Sequence, residues 1–271
     1  MTYKPTAYRR SLCAVMLLAC LWYTPGHAQP TLAQQAAQFT WIMEEYPPYH
    51  YTQDGVPQGY AVDVLHALFE SHGEQFPAKR LVVYPWARAY HTLRNDPKAV
   101  VMSMALTPER ASQFRFVGPL VSSRISLVAK ANVRLPQSHT TQINRFRVGV
   151  VRDDIGEIQL LQQSLPFHNI VRVNDAEQLI ALLLRDRVDA IAYAEDVVLF
   201  SIRQHSPMSG PLHVLQPLGS NDLHFAFHLQ APDGFVTQLQ ARLDLLSRNQ
   251  TLLRLKNKHH LEDAAQLNAF K

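Results

Sequence analysis

VVMSMALTPERASQFRFVGPL, residues 100–120, is the most informative stretch of this chain. It runs from an apolar, strand-like segment, Val100–Met104, into a helix start. Thr107 is a good N-cap, Pro108 suits the first helical position and Glu109 favours the positive end of the dipole. Arg110 then falls at the third helical position, beside unpaired backbone N–H groups. A helix start attracts anions, and a guanidinium grips a carboxylate with two parallel hydrogen bonds. The spacing predicts a carboxylate socket at the carboxyl end of a strand, where open α/β sheets bind ligands.

Outward from that stretch, the chain begins with a segment that reads as an address. Lys4, Arg9 and Arg10 precede an apolar core, Leu12–Tyr23, too short to span a bilayer, and Pro25-Gly26-His27-Ala28 offers a small-residue cleavage site. A secretory signal peptide, residues 1–28, is expected. Leu17-Leu18-Ala19-Cys20 loosely fits a lipid-attachment box, but Leu21, Trp22 and Tyr23 continue the apolar run past the cysteine. Both cysteines, Cys13 and Cys20, lie in this segment, so the remaining 243 residues have no thiol for a disulfide, a nucleophile or a metal. Three of the 26 Lys and Arg and none of the 22 Asp and Glu are in the leader. The remainder therefore carries 23 basic against 22 acidic residues, a net charge of +1. The whole-chain pI of 9.1 is largely a leader effect and gives no support for nucleic-acid binding. With no later run of 18 apolar residues, a soluble exported protein is expected.

Strand-like and helix-like pieces then alternate, the pattern of a layered α/β protein, after an Ala/Gln-rich stretch at 29–37 that reads as a loose terminus. Phe39–Met43 reads as a strand, Tyr46-Pro47-Pro48-Tyr49 as a rigid aromatic loop and Gln53-Asp54-Gly55 as a turn. Helices are expected from Gly59, with Ala61, Leu65, Leu68 and Phe69 on one face, and from Pro85, with Trp86, Ala89, Tyr90 and Leu93. Further strands are expected at Ile125–Ala129, Arg147–Val151 and Val188–Tyr193, and Asn174 with Glu177 reads as the capping box of another helix. The alternation of Phe225, Phe227 and Leu229 with His224, Ala226 and His228 predicts a half-buried strand. Two final helices are expected near 234–247 and 250–258, and no internal repeat or low-complexity run is present.

In order along the chain, Tyr46-Pro47-Pro48-Tyr49, Gly59-Tyr60-Ala61-Val62-Asp63, Met102–Pro119, Val148–Arg152 and Arg187–Ile191 resemble the polar amino-acid-binding class of bacterial periplasmic solute-binding proteins. The resemblance covers roughly residues 38–260. It implies a type II periplasmic-binding-protein fold, two α/β lobes joined by a pair of crossing strands, with the ligand held between them. Lobe 1 would be 38–122 plus 226–262 and lobe 2 would be 123–225, with crossings near Ser122–Ser126 and Asn221–Ala226 and a hinge motion that closes the cleft. Arg110 matches the family's carboxylate clamp, and Thr107 and Ser103 match polar groups of the same pocket. Trp86 matches an aromatic platform and Tyr46 the first-loop aromatic. Asp153, Asp154 and Ile155 occupy the second-lobe turn that presents backbone N–H groups to the ligand.

Two departures from the family pattern bear on ligand class. Ala105 stands where many members have serine, and Ala194 stands where amino-acid binders place the aspartate that takes the ligand ammonium. Either Glu195 takes that role through a one-residue shift, or no α-ammonium is recognised. The turn Arg152-Asp153-Asp154 is also more acidic than a plain carboxylate cradle should be.

Other chemistries find less support. His224 and His228 share a strand face, but no carboxylate or third histidine is spaced to complete a metal site, so no metal and no cofactor is expected. A hydrolase elbow, a phosphate loop and a zinc-protease helix are absent from the sequence. A cyclic-carboxylate dehydratase on the same fold would need a general acid, for which Glu44, Glu45, Asp153 and Glu195 are candidates. The expectation is a non-enzymatic, monomeric, exported protein that captures an amino acid or a related carboxylate for a transporter permease. A ligand-sensing module docking on a receptor is the alternative among binding proteins.

Overall fold

The computed structural model describes residues 29–136, 145–163, 169–205 and 211–261. The expected signal peptide, its cleavage site and Cys20 lie outside the described residues. Among the described residues, ten strands form an eight-stranded sheet and a separate two-stranded hairpin. In chain order they are β1 (Thr40–Met43), β2 (Tyr51–Gln53), β3 (Val56–Gln58), β4 (Leu81–Val83), β5 (Ala99–Ala105), β6 (Phe114–Lys130), β7 (Arg147–Val151), β8 (Asn169–Val173), β9 (Ala190–Ala194) and β10 (Leu212–His228). The large sheet has the order β4-β1-β5-β10-β6-β9-β7-β8.

The topology makes two lobes. Each lobe has its own parallel strands, β4, β1 and β5 in one and β8, β7 and β9 in the other. Between them, β6 and β10 pair antiparallel over nearly their whole length, from Phe114 opposite His228 to Lys130 opposite Leu212. The register places the two lobes head to head. Ala105, at the carboxyl end of β5, lies beside Leu223, which pairs with Val121, whereas Ala194, at the carboxyl end of β9, pairs with Ile125. The carboxyl ends of both parallel sets therefore meet along residues 121–125 of β6, and the loops that leave them face one another across a cleft.

Helices cover the sheet with the faces that the apolar spacing predicts. They are α1 (Leu32–Ala36), α2 (Tyr60–Glu70), α3 (Trp86–Asn95), α4 (Pro108–Ala111), α5 (Ile155–Gln162), α6 (Ala176–Leu184), α7 (Glu195–His205), α8 (Asp233–Arg248) and α9 (Thr251–Lys258). Ala61, Leu65, Leu68 and Phe69 of α2 are fully buried, as are Leu239, Leu243 and Leu246 of α8. Trp41 anchors the first lobe's core, with Phe76, Phe225 and Phe227 edge-on around it at 5.4–6.0 Å. No helix among the described residues is long and apolar enough to cross a membrane.

Four local expectations change. The stretch at 29–37 contains α1, whose Leu32 and Ala36 are buried, because two apolar residues four apart suffice to pin a short helix. The cap of α6 is Asp175, which accepts from Gln178 N at 2.8 Å, and the Asn174 carbonyl instead accepts from Ala87 N at 3.3 Å. Phe225–Phe227 is buried on both faces rather than half-buried, since β10 is a central strand between β5 and β6, and Leu229 is exposed beyond its end. Ile125–Ala129 is the end of the 17-residue β6, which continues through Gly118-Pro119 with a bulge opposite His224. His224 faces this hinge: its ring lies over Gly118, where a Cβ would come within 2.1 Å of it.

Candidate functional site

The cleft is built by residues that leave strand carboxyl ends. From the first lobe come Glu44 after β1, Trp86 after β4, and Ser103 and Thr107 around the end of β5. From the second come Asp153 and Asp154 after β7, Asn174 and Asp175 after β8, and Glu195 and Asp196 after β9.

Arg110 stands at the centre and is only 2% exposed. Thr107 caps α4 as its sequence predicts, accepting from Arg110 N at 3.2 Å. The helix is a single turn, however, so its dipole is weak, and the Arg110 N–H is already taken by the cap; the guanidinium itself supplies the anion-binding capacity. Nη1 donates to the Ala105 carbonyl at 3.0 Å, and Nη2 donates across the cleft to the Asp153 carbonyl at 2.7 Å. Nε is buried without a partner. The guanidinium carbon lies 5.4 Å from the Trp86 ring and 5.5 Å from the Tyr90 ring, and the two rings stack on each other at 5.8 Å. These contacts fix the fork by cation–π attraction while leaving a donor edge free.

Two further polar atoms near it are buried without partners, Trp86 Nε1 and Ser103 Oγ. Ser103 adopts φ 52, in the left-handed region that a serine at the end of a strand seldom visits. Tyr46 stacks on Tyr49 at 5.3 Å and meets Tyr193 of β9 edge-on at 5.7 Å, so the first-loop aromatics reach the second lobe. Tyr49 also crosses the cleft, its hydroxyl donating to Asp196 Oδ2 at 2.7 Å.

In the second lobe, Asp153 has φ 58 and turns its carbonyl towards Arg110, while its N–H donates to Glu157 Oε2 at 2.8 Å. Asp154 caps α5 and accepts from Gly156 N at 3.3 Å. Burial pushes its carboxyl above the ordinary range, against the pull of Arg110 and the backbone N–H groups of Ile155 and Gly156. Ile155 is buried behind it. Glu195 is also buried, but its carboxylate is engaged within the hinge by Arg124 Nη2 at 3.1 Å and by the Ser126 hydroxyl.

The structure thus brings together Tyr46, Trp86, Ser103, Thr107, Arg110, Asp153 and Asp154, with Ile155 behind the turn and Glu195 at the hinge. Sequence reasoning did not assign Tyr49, Tyr193, Asp175 and Asp196 to the site. Tyr49 had a signal in its proline-rigidified aromatic loop. Glu44, considered only as a general acid, is a buried member of the same cleft.

A family model of the bacterial extracellular solute-binding proteins, family 3, matches residues 40–262. The chain belongs to that family. Family membership makes it a two-lobed solute-binding protein of the bacterial periplasm or exterior. Solved structures share the fold. The arginine-, lysine-, histidine-binding protein ArtJ from Geobacillus stearothermophilus matches with a TM-score of 0.69 at 16% identity, covering 84% of this chain and 97% of that one. The solute receptor for L-cysteine of Neisseria gonorrhoeae matches at 0.69 with 14% identity, covering 83% and 91%. A histidine kinase sensor domain with similarity to periplasmic binding proteins also matches at 0.69, with 18% identity, covering 82% and 96%. A comparison with curated protein sequences gave no match.

Proposed function

We propose that the protein captures a small carboxylate-bearing metabolite, an amino acid or a close relative, between its lobes and delivers it as a monomer to a membrane transporter permease. The observation that carries this reading is the buried Arg110 fork, with Nε unpartnered at the meeting point of the two lobes. Thr107 positions Arg110, Ser103 adds a hydrogen bond, and Trp86 and Tyr46 pack the ligand body. The turn Asp153–Ile155 approaches from lobe 2, and Glu195 braces the hinge behind it. Lobe 1 is 38–122 plus 226–262, lobe 2 is 123–225, and the hinge lies in the middle of β6 and β10. Export through the leader 1–28, cut after Ala28 with Cys20 removed, completes the reading.

The test is calorimetric titration of wild type and Arg110→Gln with L-amino acids and simple carboxylates. The expected result is a loss of about 100-fold or more in affinity, since a charge-assisted bidentate contact disappears. Unchanged affinity in the variant refutes the carboxylate socket. The variant also leaves the Ala105 and Asp153 carbonyls short of a donor, so a melting curve must accompany each titration. Loss of affinity in a variant that still melts cooperatively is the result that counts.

A further inference from the structure

Lobe 2 meets Arg110 through a carbonyl and keeps the N–H groups of its turn for itself. Asp153 sits at φ 58, and its carbonyl accepts from Arg110 Nη2 at 2.7 Å. Its N–H is already taken, donating to Glu157 Oε2 at 2.8 Å. The Asp154 N–H donates to the Val151 carbonyl at 3.2 Å, and those of Ile155 and Gly156 support the Asp154 carboxyl. Glu157 is the third residue of α5, and a glutamate there ordinarily reaches back to the N–H of the capping residue. With the Asp154 N–H engaged elsewhere, it reaches one residue further, to Asp153. Its other oxygen is held by Arg172 Nε from β8, and the side chain is buried. The helix that carries it has no slack, since a Cβ on Gly156 would come 2.3 Å from the Ala192 carbonyl oxygen of β9.

A left-handed backbone at a residue with a Cβ persists only where its surroundings fix it. At Asp153 two anchors do so, Glu157 on the N–H and Arg110 on the carbonyl, one from each lobe. We propose that Glu157 is a positioning residue for capture: it turns the Asp153 carbonyl into the cleft, so that lobe 2 closes on the Arg110 guanidinium and not on the carboxylate of the ligand. The inference rests on the cleft reading given above.

The carboxylate is then held from lobe 1, by donors of Arg110 that the two carbonyls leave free, Nε among them. Capture and closure are coupled through one side chain. A carboxylate on the fork fixes the guanidinium, and a fixed guanidinium offers Nη2 to Asp153 at a smaller entropic cost. The acidic pair Asp153-Asp154 also finds its use. A turn that gives a carbonyl to a cation gains from neighbouring negative charge, whereas a cradle for an anion loses by it.

The first readout needs no ligand. In protein carrying isotope-labelled arginine, an Nη held by a carbonyl rotates slowly about its bond to Cζ and gives its own resonance, and Arg110→Lys identifies the signals of Arg110. Wild type is expected to show both hindered, Nη1 by Ala105 and Nη2 by Asp153. Glu157→Ala should free Nη2 alone. Glu157→Gln keeps an acceptor for the Asp153 N–H and loses only the charge facing Arg172, so Nη2 should stay hindered. If Glu157→Ala does not melt cooperatively, Glu157→Asp, a methylene too short to reach Asp153, takes its place. The second readout is calorimetric titration with whichever of the twenty L-amino acids raises Tm most. Its Kd should weaken by about 10-fold or more in Glu157→Ala and by about threefold or less in Glu157→Gln. A brace that only ties α5 to β8 would lower Tm and leave Nη2 as it was. The proposal is overturned by an Nη2 that stays hindered in Glu157→Ala, by a freely rotating Nη2 in wild type, or by Glu157→Gln as impaired as Glu157→Ala. Nη2 freed as expected, with no amino acid bound by wild type, supports the positioning role and counts against the cleft reading; binding with Nη2 unmoved does the reverse.

Discussion

The hydroxyl of Tyr49 makes the clearest direct bond between the lobes, and removing it should weaken ligand binding without touching the ligand. Tyr49 is fully buried, and its hydroxyl donates to Asp196 Oδ2 at 2.7 Å across the cleft. Tyr49→Phe keeps the ring and its stacking on Tyr46 but leaves Asp196 short of a donor. Burial already raises the Asp196 carboxyl, and the remaining support is the field of Arg124 and Lys256. A hydrogen bond to a charged partner contributes about 1.5–3 kcal/mol. In an opened form Asp196 would recover that energy from water, so the loss would fall on the closed form alone. A closed-to-open equilibrium displaced by this amount corresponds to roughly 10- to 150-fold. Calorimetric titration with the best-binding solute should show its Kd weakened by about that factor, and Asp196→Asn should add little to Tyr49→Phe in a double-mutant cycle. A Kd within twofold of wild type, with an unchanged scattering profile, would refute the view that this bond helps hold the lobes together.

Other perturbations test the scaffold and its pH response. Gly156→Ala would put a Cβ 2.3 Å from the Ala192 carbonyl oxygen, so α5 must lift off β9. The expected cost is about 1–3 kcal/mol, a Tm lower by roughly 3 °C or more, and an unchanged Tm would show that the turn yields freely. Burial lowers the His50 pKa to about 4, far below that of an unfolded histidine near 6.5. The unfolded chain therefore binds the extra proton between these values, and stability falls by roughly 3 kcal/mol as pH drops from 6.5 to 4. Denaturation midpoints for His50→Gln should lose most of that acid slope; a slope equal to that of wild type assigns it to other groups.

The parts of the site that obey local rules were readable from the chain. Thr107, Pro108 and Arg110 are fixed by capping grammar within four residues, and the structure reproduces the cap bond. The same holds for α2 and α8, whose apolar spacing marks the buried face. What depends on strand pairing was not readable. The sequence predicts a separate strand at Ile125–Ala129, yet β6 runs from Phe114 to Lys130 because β10 pairs with it on both sides of Gly118-Pro119. Burial of an acid is equally invisible in sequence. Glu44 and Glu45 are identical neighbours, but Glu45 is bound by Thr52 at the rim whereas Glu44 turns inward. Asn174 and Asp175 are not distinguishable in sequence for a related reason: either can cap α6, and the Ala87 N–H that claims the Asn174 carbonyl comes from a helix in the other lobe.

The pairing of Ser122 with Asp222 has a consequence for how such a molecule can change over generations. The chain leaves the first lobe along β6 and comes back along β10 at the very place it left, so everything between these two residues is an insert with adjoining ends. Such a cassette can be exchanged whole between relatives without rerouting the host strand order. Swapping it brings a new set of strand-end loops to face an unaltered Arg110, and recombination at two neighbouring points could retune what the molecule recognises while the first lobe stays the same.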